Sequence, residues 1–261
     1  MKRESQKDLL TAKLSLNISG EPLNLTLEAP KAAMQPIRML PVFRKVCGDV
    51  VGWSVKRIER EGRSISCKAG CGACCRQMVP ISKTEARRIA EIIDAMPTER
   101  RDAVIERFSN AIERLADADL IDALRSEPKP TGSEYKELGL AYFHLGIRCP
   151  FLENESCSIH AERPLVCREY LVVSPAENCS RTNGQSIEVL KMPVEASKAL
   201  AAIDDSRDNK FDNWVPLVLA LEWAKQNTDN TTPSPGTDIA ARFMSALTGI
   251  DLAERPSVPG N

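Results

Sequence analysis

The stretch "CKAGCGACC", Cys67 to Cys75, packs four of the chain's nine cysteines into nine residues, the last two adjacent. Few features constrain a fold more. Thiolates held this close repel one another unless a cation neutralises them. A structural zinc site bound this way contributes about 10–16 kcal/mol of apparent folding energy. Gly70 and Gly72 flank Cys71. They let the backbone turn tightly enough for several sulfurs to face one centre. A disulfide framework would leave one of nine cysteines over. The opening "MKRESQKDLL" is polar, with no apolar segment behind it, so no secretory signal is expected. The expected location is cytoplasmic, where thiols stay reduced and clustered cysteines hold metal or carry out redox work.

A second group follows in turn-rich text, "RCPFLENESCSIHAERPLVCREY", with Cys149, Cys157 and Cys167; Cys179 lies further on. Side chains of neighbouring residues diverge, so Cys74 and Cys75 suit two metals, or two irons of one cluster, better than one tetrahedral ion. Four sulfurs from the first group and up to four from the second fit two zinc sites, a polynuclear centre, or one cluster with spare thiols. Spacing alone does not choose among them.

Periodicity supplies the frame. Leu14, Leu16 and Ile18, then Leu23, Leu25 and Leu27, alternate with polar residues around "SGEP", the pattern of a two-stranded hairpin. A helix is expected from Val42 to Gly62, with Gly62 just past its end. Ser82 and Glu85 have capping-box spacing ahead of a helix bearing Ile89, Ile92 and Ile93. Beyond Pro97, Thr98 can cap a helix reaching about Arg125, with Val104, Phe108, Ile112 and Leu115 as its stripe. Further helices are expected at 134–146, 194–207, 215–226 and 238–247, with 228–237 as a polar linker. The fold class is therefore mainly α: an irregular helical domain organised around a cysteine-rich metal site, with an N-terminal β-hairpin. Its expected organisation is a hairpin and helix over 1–62, a cysteine-cluster domain over 63–180, and a helical extension over 181–261 that packs on it.

"CGACCRQMVPISKTEARRI" and "CPFLENESCSIHAERPLVCREY" resemble the YkgJ-type cysteine-cluster family of zinc- or iron-chelating proteins. The motifs are Cys-Cys-Arg, Cys-Pro-Phe-Leu and Arg-Pro-x-x-Cys-Arg, and the likeness runs from about Cys67 to Tyr170. It implies Cys67, Cys71, Cys74, Cys75, Cys149, Cys157 and Cys167 as the metal set. Cys179, outside the motif, is a candidate eighth ligand. His160 stands where the family usually carries Tyr and is not counted. The resemblance implies zinc or iron as cofactor, a 4Fe-4S cluster among the forms. A relative with this cluster is linked to lysine methylation, so the alternative to a metal-binding protein is an iron–sulfur redox or methyl-transfer enzyme.

Other groups read more plainly. Cys47, in a helical pattern, is a small core residue. Arg76 and Arg168 adjoin cysteines and are expected to offset thiolate charge and bond to sulfur, whereas Arg163-Pro164 reads as the start of a short helix presenting Cys167. C-x3-C-x2-C is also the spacing of radical-SAM enzymes, but two helices follow it here instead of a partial barrel. Thioredoxin-like chemistry lacks its βαβ setting. The formal net charge of -1 advertises neither nucleic acid nor an anionic membrane; a protein partner is the interaction left open.

Overall fold

A computed structural model of the protein describes residues 8–180, 187–204 and 214–252. Strands β1 (Leu9–Ile18) and β2 (Glu21–Pro30) form the expected hairpin, with Leu14 opposite Leu25 and Leu16 opposite Leu23. Ser19 and Gly20, at φ 52 and 88, make its two-residue turn, the primed type whose twist matches paired strands. Strand β3 (Ala33–Met34) leads into helix α1 (Leu40–Arg60). Gly62, at φ 75, ends α1 as expected, and the Arg63 N–H returns to the Ile58 carbonyl at 2.9 Å, closing a Schellman motif.

The cysteine loop follows, then β4 (Pro80–Ile81), α2 (Lys83–Asp94), α3 (Thr98–Asp117), α4 (Ile121–Arg125) and α5 (Gly132–His144). The capping box of Ser82 and Glu85 is fully formed. The single helix expected over 98–125 is two. Asp119 adopts φ 56, and the Leu120 N–H bonds back to the Leu115 carbonyl at 2.9 Å. Aspartate tolerates this left-handed turn better than most residues, and the break turns Ile121 and Leu124 into a buried cluster with Trp214 and Leu219. Thr98 is the first helical residue, with Pro97 at the cap position.

Next come β5 (Leu152–Glu153), β6 (Ser156–Cys157), α6 (Leu165–Glu169) and α7 (Ala196–Ile203). Part of the helix expected over 194–207 lies outside the described residues. The helix expected from Val215 starts later. Strand β7 (Val215–Pro216) pairs with β4, a single turn follows, and α8 runs Ala220–Gln226. Proline disfavours helical backbone at the residue before it, which keeps Val215 extended. The expected linker supplies β8 (Ser234–Pro235), paired with β3, before α9 (Gly236–Thr248).

The hairpin's apolar face, Leu23, Leu25, Leu27 and Ala29, shares a core with α1, α7, α9 and Leu165. Phe43 and Phe243 stack at its centre, ring centroids 4.2 Å apart. A second core joins α2 and α3 to Phe151, Ile159 and Val215, and Cys149 and Cys157 pack against it. A further small cluster, Ile58, Leu171 and Leu190, borders Cys67.

Candidate metal centre

The first cysteine loop is anchored at its start. The Ser66 N–H donates to the Val172 carbonyl at 2.8 Å, and the Val172 N–H donates to the Cys67 sulfur at 3.3 Å. Gly70 turns the chain at φ 81. Cys74 and Cys75 then lie on a single helical turn, Ala73–Arg76. Gly72 precedes it for a steric reason. A methyl group there would stand 2.5 Å from a Glu155 carboxylate oxygen and 2.8 Å from Leu152 Cδ1.

Both of those neighbours belong to the second cysteine group, and the backbones touch as well: the Cys149 N–H donates to the Cys75 carbonyl at 2.7 Å. Strands β5 and β6 form a two-residue hairpin over Asn154 and Glu155, at φ 49 and 56, with Cys157 opposite Leu152. Cys167 sits on the one-and-a-half turns of α6. Pro164 stands at its cap position, one residue before the first helical position at which the sequence reading put it. Buried Glu85 accepts the Leu165 N–H at 2.7 Å, so the residue that caps α2 also ties down the start of α6. Cys179 lies on the turn Ala176–Ser180, which packs against Ala73–Arg76. Thus Cys67, Cys71, Cys74, Cys75, Cys149, Cys157, Cys167 and Cys179 come from three segments that meet. Cys47 stays apart, fully buried in α1 with its sulfur 4.0 Å from the Leu165 carbonyl.

All nine cysteines are free thiols. Burial raises Cys149 to about 12. Burial also pushes Cys67, Cys157 and Cys179 upward and Cys167 far upward, with neighbouring thiols adding to each. Cys74 is raised first by its hydrogen bond with Cys75, then by burial. A low-dielectric pocket penalises thiolate, and clustered negative charge penalises it again. A cation entering such a pocket favours the thiolate form.

The arginines beside the thiols also brace the backbone, and the Arg168 charge lowers Cys157 as the expectation of charge compensation has it. Arg76 makes a two-pronged pair with Glu155, at 2.7 and 3.0 Å, and bonds the Gly72 carbonyl. Its guanidinium clamps the first loop to the β5–β6 tip. Arg168 donates to the Ala161 and Arg163 carbonyls, holding the turn before α6. Arg163, read as a helix-start residue, has a buried Nε with no hydrogen-bond partner among the described residues. Its positive charge lowers Cys67, Cys74 and Cys157 against burial.

Two further residues entered without a sequence signal. Tyr170 accepts a hydrogen bond from Gln77, and Glu169, on α6 itself, accepts the N–H groups of Ala196 and Ser197 at the start of α7. Glu155 had only the turn composition of "ENES" to mark it. Among the described residues, no three Cys, His, Asp or Glu side chains are already gathered about one point. The donor chemistry nonetheless fits zinc or iron. Unpaired thiols are the natural ligands of both, and here they are half-buried, or buried at Cys179, with a backbone bond joining the Cys149 and Cys75 segments.

Residues 66–188 match the family model CxxCxxCC, described as a "putative zinc- or iron-chelating domain". No curated protein and no solved structure matches the chain.

Proposed function

From the match of residues 66–188 to a zinc- or iron-chelating family model, we propose that the protein chelates its metal with thiolates drawn jointly from the Cys67–Cys75 loop, the Cys149–Cys167 segment and Cys179. One observation carries the reading: the Cys149 N–H on the Cys75 carbonyl at 2.7 Å, which brings groups more than seventy residues apart into one neighbourhood. Bound metal supplies positive charge that compensates several thiolates and links the segments.

The chain's own residues do the rest. Arg76 and Glu155 fasten the first loop to the β5–β6 tip. Glu85 fixes the start of the helix bearing Cys167. Val172 directs an N–H at the Cys67 sulfur, the kind of outer contact that orients a ligand and tunes its basicity. Arg163 brings a fixed positive charge, offsetting part of the negative charge that four thiolates leave on a divalent ion.

The test is anaerobic purification followed by elemental analysis and an absorption spectrum. Stoichiometric zinc in a colourless protein, or iron in a coloured one, supports chelation; iron with matching sulfide selects a cluster. Cys74→Ser should lower metal content and Cys47→Ser should leave it unchanged. Neither metal above background, or the reverse behaviour of the two variants, would overturn the proposal.

A further inference from the structure

The N-terminal hairpin closes one of its edges and leaves the other open. Ile18 and Glu21 flank the two-residue turn, so they form a hydrogen-bonded pair, and such pairs alternate along the ladder. On β1 the N–H and C=O groups of Leu10, Ala12, Leu14, Leu16 and Ile18 therefore face β2. Those of Leu9, Thr11, Lys13, Ser15 and Asn17 face away from it. The outward positions of β2 are their partners Pro22, Asn24, Thr26, Glu28 and Pro30. Two of these are prolines, with no N–H to offer a neighbour. Two outward carbonyls are already taken: Pro22 by the Trp53 indole at 3.2 Å and Thr26 by the Lys45 ammonium at 3.1 Å. Edges are protected from a further strand in this way. Strand β1 carries no such protection. Among the described residues it pairs with β2 alone, and no other described group bonds its outward N–H and C=O groups.

The side chains of β1 are equally uncovered. Leu10, Ala12, Leu14, Leu16 and Ile18 lie on the face where β2 buries Leu23, Leu25, Leu27 and Ala29. Leu14, Leu16 and Ile18 lean on that core yet stay half-buried, and Leu10 is 48% exposed. A strand laid beside β1 would extend this apolar face and cover it. Lys13 is the strand's one charge.

We propose that the strand laid there is β1 of a second copy, antiparallel about a two-fold axis at Leu14. In that register Leu14 meets Leu14, Ala12 meets Leu16 and Leu10 meets Ile18, all on the apolar face. On the opposite face Lys13 meets Ser15 and Thr11 meets Asn17, so no like charges stand directly opposed. An axis one residue earlier would set Lys13 against Lys13, which destabilises a sheet. The outward-facing Thr11, Lys13, Ser15 and Asn17 pair among themselves, as the hydrogen-bonding alternation requires. The result is a four-stranded sheet in the order β2–β1–β1–β2. Both of its outer edges are β2, which proline and the α1 side chains close, so assembly stops at a dimer. A second copy thus removes two open edges at once, whereas a foreign strand would cover one. This pairing is independent of how the cysteines hold metal.

The experiment is sedimentation velocity on the full chain as purified, over a range of concentrations, with amide hydrogen exchange on the same samples. A reversible species of twice 28.8 kDa is expected, with the amides of Thr11, Lys13, Ser15 and Asn17 more protected as concentration rises. Ser15→Lys sets like charges opposite one another on both sides of the axis and should weaken dimerisation about tenfold; Ser15→Glu faces Lys13 with a carboxylate and should strengthen it about tenfold. Ser15 is exposed, on the face away from the core, so the hairpin's packing is untouched by either change. A monomer at every concentration, or a dimer whose β1 amides exchange freely, would overturn the proposal. So would a monomer with those amides protected, because the chain would then cover its own edge, and so would a different polypeptide co-sedimenting with a single copy. A dimer equally tight in wild type, Ser15→Lys and Ser15→Glu would overturn it as well. Should either variant fail to fold, the concentration dependence of wild-type exchange decides alone.

Discussion

Gly72→Ala tests the meeting of the two cysteine groups without touching a sulfur. Its backbone, at φ -93 and ψ 12, is open to any L-residue, so no conformational strain enters. The new Cβ would lie 2.5 Å from the Glu155 carboxylate, 2.8 Å from Leu152 Cδ1 and 3.3 Å from Glu155 Cα. The carboxylate can swing aside only by leaving Arg76. That pair is part-exposed, 24% and 42% at the two side chains, and is worth about 0–1 kcal/mol. Leu152 is buried and must repack, and the hairpin tip must retreat by a few tenths of an ångström. Overpacking of this kind costs about 1–3 kcal/mol. Against it stands the unfolded-state gain of Gly→Ala, about 0.4–1 kcal/mol. The net expectation is destabilisation by about 1–2 kcal/mol, with reduced zinc content because Cys149 and Cys157 move with the tip. Gly48→Ala is the control. It lies in α1 with nothing within 4 Å of the added carbon, and should stabilise by up to about 1 kcal/mol. Urea denaturation followed by circular dichroism, with zinc analysis of the same samples, reads both. A Gly72→Ala chain as stable as wild type and fully loaded would refute the described contact.

Two other perturbations address charge. Arg163→Gln removes the cation that lowers Cys67, Cys74 and Cys157, so those thiols ionise less readily and half-loading with zinc should shift to higher pH. Arg163→Lys should restore part of the shift, and an unmoved loading curve would sink the role assigned to this arginine. Burial raises the Glu169 carboxyl from its ordinary 4.5 to about 7, against the donors at the start of α7. The folded state therefore holds this proton more tightly than the unfolded one. The associated stability is fully present below about pH 4.5 and is lost as pH rises through about 7, a change of about 3 kcal/mol at most. Wild type measured against Glu169→Gln should show that difference fall across this window; a flat difference would mean the carboxyl is not desolvated as described.

Local signals reached the surface of this protein more completely than its site. Glycine and serine between alternating leucines forced the hairpin, because a two-residue turn with positive φ sets its register. Ser82 and Glu85 stand three apart, and their reciprocal hydrogen bonds form within one turn of chain, so the cap was legible. The break at Asp119 was not, since no proline or glycine marks it and the driving force is burial of Leu124 in a distant core. Val215 looked helical by composition, but its partner strand, Pro80–Ile81, lies far away in sequence.

By itself, the sequence determined that this chain must deal with crowded thiols: nine residues with four sulfurs, and a second set in turn-rich text, imply chelation wherever they fold. That Arg76 clamps the first loop to the β5–β6 tip, that Gly72 makes room for that tip, and that Cys149 bonds back to Cys75 were decided only by tertiary packing. Ligand type is a property of side chains and survives in one dimension. Distance and direction between segments are set by hydrogen bonds and buried contacts that link residues far apart along the chain.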